Sequence, residues 1–330
     1  FNTTIFWSEE EISELKPSML FNLTNMMKKQ IDNDWNSIYC DLKTQYPEQL
    51  GHISYDLYKW ALSVIYSRAI GISYKGEYIR CIVPVIDLAN HSPYVGINAN
   101  DSFTFNEETE MMSITAPRTG NSLLTPSSQV CVSYGAYCNS KLAYSYGFVL
   151  PNSNPYNVID FWTNVPPSSY NAPYKQNLLK ENKLTNQQTY DFHGTLHKSW
   201  IAPALLTTIR VVNTTMEEIS HIKNAFSGQL ISYRNEAASY TSLISILRHR
   251  LSLYKYSENK AELEILITPT TTTTDTTGGA DSSNSNVFHK VADRATDGHE
   301  LSQPLHTASE YRRLMIVTIR TEEYELIQVQ

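Results

Sequence analysis

The 330 residues contain only four cysteines, Cys40, Cys81, Cys131 and Cys138. That density is too low for a disulfide framework and points to a reducing compartment, cytosol or nucleus. None of the four stands in a Cys-x-x-Cys pair, so neither a zinc knuckle nor a redox motif is supported. No apolar run approaches the roughly 20 residues needed to cross a bilayer. No signal-peptide pattern opens the chain. The sequons at Asn2, Asn22, Asn100 and Asn213 therefore carry no implication of secretion. Basic charge is also short, with 26 Lys and Arg against 33 Asp and Glu, a net charge of −7. This argues against a uniformly basic nucleic-acid surface. There is no Gly-x-Ser-x-Gly elbow, no P-loop and no Gly-x-Gly-x-x-Gly, so the common hydrolase, nucleotidase and dinucleotide-binding signatures are missing. No internal repeat is present.

What is there reads as a soluble globular protein of one large or two ordinary domains, 41% hydrophobic and 18% charged, with a high count of 22 tyrosines. Residues 8–80 show helical periodicity. Ser8 with Glu11 forms a capping-box pattern, and Pro17 breaks that helix. Leu20, Leu23, Met27, Ile31, Trp35, Ile38, Leu42 and Tyr46 then recur at helical spacing until Pro47. Ser54 caps a third helix that Gly71 stops. Residues 72–160 change character, and strands are predicted at 81–86, 102–106, 111–116 and 129–134. Residues 103–115 predict a hairpin turning at Asn106–Thr109, followed by a solvated loop over 117–128. Helical periodicity returns over 174–256, with a helix start after Thr214-Thr215 and a long amphipathic segment over 229–256. Residues 268–286, rich in Thr, Ser and Gly, predict disorder. A final helix over 307–328 should pack back on the earlier ones.

Chemistry concentrates in two segments. The first is Val85-Ile-Asp-Leu-Ala-Asn-His-Ser-Pro93, which reads as a buried strand leading into a turn, with Asp87, Asn90 and His91 set into it. Each polar group there needs a partner, because an unpaired buried one costs roughly 1–3 kcal/mol. Asp87 and His91 have helical ligand spacing but no third ligand nearby, which argues against a metal. His193 and His197 have the spacing of a zinc helix without its glutamate. The second segment, residues 130–152, begins as a strand and carries two Tyr-Gly pairs, Tyr134-Gly135 and Tyr146-Gly147. A helical turn over Asn139–Tyr144 lies between them. Tyrosines also pack well on sheets for purely structural reasons.

"VPVIDLANHSP" (83–93) followed by "SYGAYCNSKLAYSYGFV" (133–149) resembles the two C-terminal motifs of SET-domain methyltransferases, in the subgroup of Rubisco large-subunit methyltransferase. "YSRAIG" (66–71) is similar to the end of that subgroup's helical insertion. The resemblance runs the length of the chain in order and is specific over 60–160. It implies an α+β fold: a core of short strands with a helical insertion, then an α-helical C-terminal domain. Residues 1–160 would form the SET domain, with the insertion at 1–80 and the C-terminal SET core at 81–160. Residues 161–330 would form a helical substrate-binding domain. The resemblance places Arg68, Asn90, His91, Tyr134 and Phe148 on S-adenosylmethionine, Asp87 and Tyr146 on the substrate side, and Tyr134 beside the methyl-transfer channel as the catalytic residue. No metal is implied. The family's N-terminal strand segment with its Gly-x-Gly turn has no counterpart in residues 1–50, so that part of the SET domain is expected to be absent.

The residue types suit the implied chemistry. Methyl transfer from a sulfonium to an amine is an in-line displacement that depends on alignment. A lysine of pKa about 10.4 must first lose its proton, and a narrow aromatic channel disfavours the ammonium by desolvation. The same rings attract that ammonium by cation–π contact on approach. The implied reaction is methylation of a protein lysine, histone or non-histone. A histidine acceptor and a non-catalytic interaction module derived from the same fold stand as alternatives. The implied partner is a protein substrate, without direct nucleic-acid or membrane contact, and the chain is expected to be monomeric and cytoplasmic or nuclear.

Overall fold

A computed structural model describes residues 2–93, 103–114, 130–152, 154–184, 192–197, 200–267 and 307–328. The predicted loop 117–128 and the low-complexity stretch 268–286 lie outside the described residues. The predicted capping box closes at the start of α1 (Glu9–Glu14): Glu11 N donates to Ser8 Oγ at 3.2 Å and Ser8 N to Glu11 Oε2 at 2.8 Å. Ser18 caps α2 (Met19–Asp34). A π-type turn at Trp35–Tyr39 joins α2 to α3 (Cys40–Gln45), and Pro47 takes the first position of α4 (Pro47–Leu50), where its missing N–H costs nothing. Ser54 accepts from Leu57 N to cap α5 (Tyr55–Arg68).

The helical region ends sooner than its periodicity predicts. Strands β1 (Ile70–Tyr74) and β2 (Glu77–Cys81) pair antiparallel around Lys75-Gly76. Both turn residues have positive φ, 52° and 79°, as a two-residue hairpin turn of matching twist requires. The strand predicted at 81–86 does not form. Pro84 has no N–H for a ladder, and Asp87 N donates back to Val83 O at 3.0 Å, opening a 3₁₀ turn at Ile86–Leu88. Val85 is 78% exposed, with φ at 75°.

Only Asn90–His91 is extended there, as β3, parallel to β6 (Cys131–Val132). The strand predicted at 129–134 is thus two residues long. The predicted hairpin is present as β4 (Phe103–Asn106) and β5 (Met111–Ile114), with Asn106 Oδ1 accepting from Glu108 N and Thr109 N, each at 2.9 Å. The helix predicted inside the Tyr-Gly segment is α6 (Asn139–Tyr146), ended by Gly147 in the left-handed region.

Past residue 150 the periodicity misses a sheet. β7 (Val158–Thr163), β8 (Phe192–His197) and β9 (Trp200–Ile201) form an antiparallel three-stranded sheet. His193 and His197 therefore sit on a strand, about 13 Å apart along it, and the zinc-helix spacing loses its meaning. Helices α7 (Ala172–Glu181), α8 (Pro203–Val212), α9 (Tyr233–Ser252) and α10 (Tyr256–Ile267) make up the rest of this region, with α8 and α9 packed on Ile159 of the sheet. The start predicted after Thr215 leads into a 3₁₀ run at Ile219–Ser227, and the long segment 229–256 breaks between α9 and α10.

The final helix, α11 (Ala308–Gln328), joins two cores. Met315, Ile316 and Ile319 pack with Trp7, Ile12, Leu15, Leu20, Ala143 and Val149. About two to three turns later, Leu326 and Ile327 pack with Ile159, Leu205, Ile209, Leu243 and Leu247. Each such fully buried side chain contributes about 1.5–3 kcal/mol, so α11 ties the N-terminal helices and α6 to β7, α8 and α9. A third cluster, around Leu179, Val211 and Ile222, closes the far side. Beside it Lys175 is wholly buried, and its Nζ donates to Ser169 Oγ, Val212 O and Thr214 O at 2.7–2.9 Å. Burial lowers its pKa to about 8.

Candidate active site

The pairing of β3 with β6 builds the site. It sets Asn90 against Cys131 and His91 against Val132, and Ser92 N extends it by donating to Val132 O at 3.0 Å. Two residues beyond β6, Tyr134 arrives beside His91. Tyr134 N donates to His91 Nδ1 at 3.1 Å, and the two rings stack at 5.1 Å. The Tyr134 hydroxyl donates to Ala89 O at 2.8 Å.

This geometry sets the histidine's tautomer. Nδ1 accepts a hydrogen bond, so the neutral imidazole carries its proton on Nε2. Burial lowers the His91 pKa, against a smaller opposing effect of the Val132 backbone carbonyl, so the ring is neutral. Nε2 is itself buried and has no partner among the described residues. A buried donor left unmatched costs roughly 1–3 kcal/mol. His91 therefore holds one buried N–H that no acceptor among the described residues satisfies.

Helix α6 returns the chain to the same place. Tyr146, its last residue, stacks on Tyr134 at 4.7 Å, and Phe148 stands 6.2 Å from Tyr146 and 6.1 Å from His91. Tyr137 closes the group, 6.1 Å from Tyr146. Gly147 allows the return, because a β-carbon there would stand 2.7 Å from Thr3 N. Burial raises the pKa of Tyr134 and of Tyr146, so both phenols are neutral near pH 7. Their faces offer electron density without charge.

Arg68, the last residue of α5, reaches the same rim. Its Nη1 donates to Asp87 O at 2.9 Å and Asp87 Oδ2 at 3.4 Å. Burial is the largest effect on the Tyr134 pKa and raises it; the Arg68 charge opposes that rise and Asp87 adds to it. Of the seven residues expected from sequence, six thus meet: Arg68 and Asp87 as one pair, and His91, Tyr134, Tyr146 and Phe148 as one cluster. Asn90 does not join them by any side-chain bond. Successive side chains on a strand leave opposite faces, and Asn90 is exposed where His91 is half-buried.

Sequence reasoning missed Tyr137, the Ala89 carbonyl, and a set of supporting polar residues. Asn139 and Asn157 converge on Glu322 of α11. The signal was present: two adjacent glutamates, Glu322 and Glu323, interrupt an otherwise apolar helix face.

Comparison with known proteins agrees with this geometry. Residues 166–325 match the family model described as Rubisco LSMT substrate-binding. SET domain-containing protein 4 of Mus musculus is 27% identical over 245 residues, 70% of this chain and 53% of the relative. These likenesses are to the Rubisco large-subunit methyltransferase-like subgroup of SET-domain proteins. Within that subgroup, the Pisum sativum ribulose-1,5 bisphosphate carboxylase/oxygenase large subunit N-methyltransferase is 27% identical over 168 residues, 46% of this chain and 32% of the relative. A solved structure described as the SET domain of LSMT bound to lysine and AdoHcy superposes with a TM-score of 0.65 at 21% identity. It covers 99% of this chain and 66% of that one. This chain therefore spans little more than half of the mouse relative and two thirds of the solved structure. The α+β fold expected for the subgroup is the fold observed.

Proposed function

We propose that the protein transfers a methyl group from S-adenosylmethionine to the side-chain nitrogen of a protein lysine. The observation that carries this reading is the His91–Tyr134–Tyr146–Phe148 cluster, with one imidazole N–H held out to it by the tautomer of His91. The residues fit the cofactor. His91 Nε2 matches a heteroaromatic acceptor, Phe148 supplies an apolar face, and Arg68 matches a carboxylate at the rim. When bound, S-adenosylmethionine supplies an electrophilic methyl group on a sulfonium.

The remaining work is done by the chain. Tyr134 and Tyr146 form a neutral aromatic wall that attracts a lysine ammonium by cation–π contact. Their desolvated surroundings then favour its loss of a proton. The Tyr134 hydroxyl spends its proton on Ala89 O, so its lone pairs remain to orient an incoming N–H. Alignment, not acid–base strength, sets the rate of such a displacement. Asp87 at the rim attracts a cationic side chain to the entrance. The matched segment 166–325 supplies the docking surface for the acceptor protein, histone or non-histone. We place the protein in the cytosol or nucleus, where its four cysteines, none of them in a disulfide, stay reduced.

Calorimetric titration of the complete protein with S-adenosylmethionine tests the reading. Saturable one-site binding, weakened by His91→Ala, supports it. No binding leaves a non-catalytic interaction protein in its place. Labelled methyl recovered on histidine instead of lysine would move the acceptor to the alternative class.

A further inference from the structure

The aromatic cluster stands on a polar clamp whose carboxyl member comes from the far end of the chain. Glu322 of α11 is buried beneath α6. Its Oε2 accepts from Asn139 Nδ2 at 2.6 Å and from Asn157 Nδ2 at 2.5 Å, and its Oε1 accepts from Asn152 N at 2.8 Å. These donors are themselves tied to both ends of the aromatic segment. Asn139 Oδ1 accepts from Leu150 N at 2.9 Å, and Asn139 N donates to Asn157 Oδ1 at 2.8 Å. Asn154 Nδ2 donates to Tyr137 O at 2.9 Å and to Asn139 Oδ1 at 3.1 Å. Tyr156 reaches Pro93 O, two residues past His91, at 3.5 Å. The clamp therefore holds Tyr137 on the Tyr134 side, Leu150 on the Phe148 side, and Pro93 on the His91 side.

We propose that Glu322 is a positioning residue for the methyl-transfer site: its carboxylate locks the three asparagines that keep Tyr134, Tyr146 and Phe148 in register with His91. This rests on the functional reading above, but its structural half stands apart from it. Glu322 touches none of the four rings. It acts because three N–H groups converge on it from one side and a rigid helix holds it from the other. Met315, Ile316 and Ile319 anchor α11 in the same core that contains Ala143 and Val149, so the carboxylate and α6 share one frame. Its neighbour Glu323 braces that frame. It accepts from Ser18 Oγ at 2.6 Å and from Tyr254 OH at 2.5 Å, with Arg250 Nη2 3.7 Å away. Helix α11 thereby carries Glu322 into the frame that holds the aromatic cluster.

The test uses the complete protein with Glu322→Gln, which keeps the shape but turns one acceptor into a donor facing N–H groups. Amide hydrogen exchange is read at Tyr134, Gly147 and Leu150, with α9 as control. Exchange at the three sites should quicken about tenfold while α9 is unchanged. In the methyl-transfer assay kcat should fall about tenfold, with KM for cofactor and protein within about twofold of wild type. Glu322→Asp, which keeps the charge on a shorter arm, should recover part of the loss. Unchanged exchange at Tyr134 and Leu150 overturns the proposal, and so does acceleration spread equally over α9, which marks a merely structural group. If wild-type protein neither binds S-adenosylmethionine nor transfers methyl, the functional reading falls. The exchange result still decides the clamp.

Discussion

Tyr134 and His91 are joined twice: the backbone N–H of Tyr134 donates to His91 Nδ1 at 3.1 Å, and the rings stack with centroids 5.1 Å apart. The bond fixes the tautomer, and the stack fixes the plane in which Nε2 points. The two residues lie 43 apart in sequence, brought together by two strands of only two residues each. A site built on such short strands depends on its side-chain bonds more than on its sheet.

Replacing His91 with Ala removes the acceptor for Tyr134 N and the unpartnered imidazole N–H beside the cluster. A buried amide left unpaired costs roughly 1–3 kcal/mol. Chemical denaturation should show a loss of that size, and the affinity for S-adenosylmethionine should fall about tenfold or more. Unchanged affinity in the titration would take His91 off the cofactor.

The Arg68–Asp87 pair separates stability from activity. The Arg68 side chain is 41% exposed, and pairs at that exposure contribute about 0–1 kcal/mol. Arg68→Ala should shift the denaturation midpoint little, yet lower kcat/KM for the cofactor about tenfold. Equal loss in both measurements would make the pair structural.

Gly147 has φ of 78°, and a β-carbon on it would stand 2.7 Å from Thr3 N and 2.8 Å from Asn2 C. Both are backbone atoms that cannot swing aside. Gly147→Ala should cost about 1–3 kcal/mol, read as a lower urea midpoint at unchanged m-value. A neutral outcome would show that the first residues are free to move off the Tyr-Gly-Phe turn.

Glu322 makes stability depend on pH. Burial raises its pKa from 4.5 to about 7, against the lowering effect of the Asn152, Asn139 and Asn157 donors. Glu325, one turn on, also pushes it up, while the asparagines facing it are neutral. A raised carboxyl favours the protonated form in the fold. Its contribution is complete below about pH 4.5 and is lost as pH rises through about 7, an interval corresponding to roughly 3 kcal/mol. Glu218 runs the other way. Its hydrogen bonds to Arg234 hold it near 2, so its contribution is present above pH 4.5 and lost in acid. The melting temperature should therefore fall between pH 6 and pH 8 in wild type, and fall less in Glu322→Gln. Parallel curves would remove Glu322 as the cause.

The parts of this fold that were legible in sequence are those with local chemistry. Ser8 with Glu11, Ser54 with Leu57, and Asn106 in its turn each satisfy orphan backbone groups within four residues, so their pattern is short and readable. The Val83–Ile86 run misled because apolar content suggests a strand, whereas Pro84 denies the ladder and a 3₁₀ turn follows. The β7–β8 sheet was hidden because its pairing joins Val158 to His197, a distance over which periodicity carries no information. Lys75-Gly76 forms a two-residue hairpin turn inside the span 8–80 that helical periodicity covers. The site followed the same division. Its aromatic and imidazole groups stood in two recognisable motifs, while Asn139, Asn157 and Glu322 meet only through tertiary packing.

The central claim is that this cluster aligns an amine for methyl transfer, and Tyr134→Phe tests it most directly. The change removes the hydroxyl that bonds Ala89 O and keeps the ring stacked between His91 and Tyr146. With the complete protein and labelled S-adenosylmethionine, kcat for transfer to protein lysine should fall at least about tenfold, while calorimetric cofactor affinity stays within about twofold of wild type. Wild-type turnover in Tyr134→Phe would contradict the account.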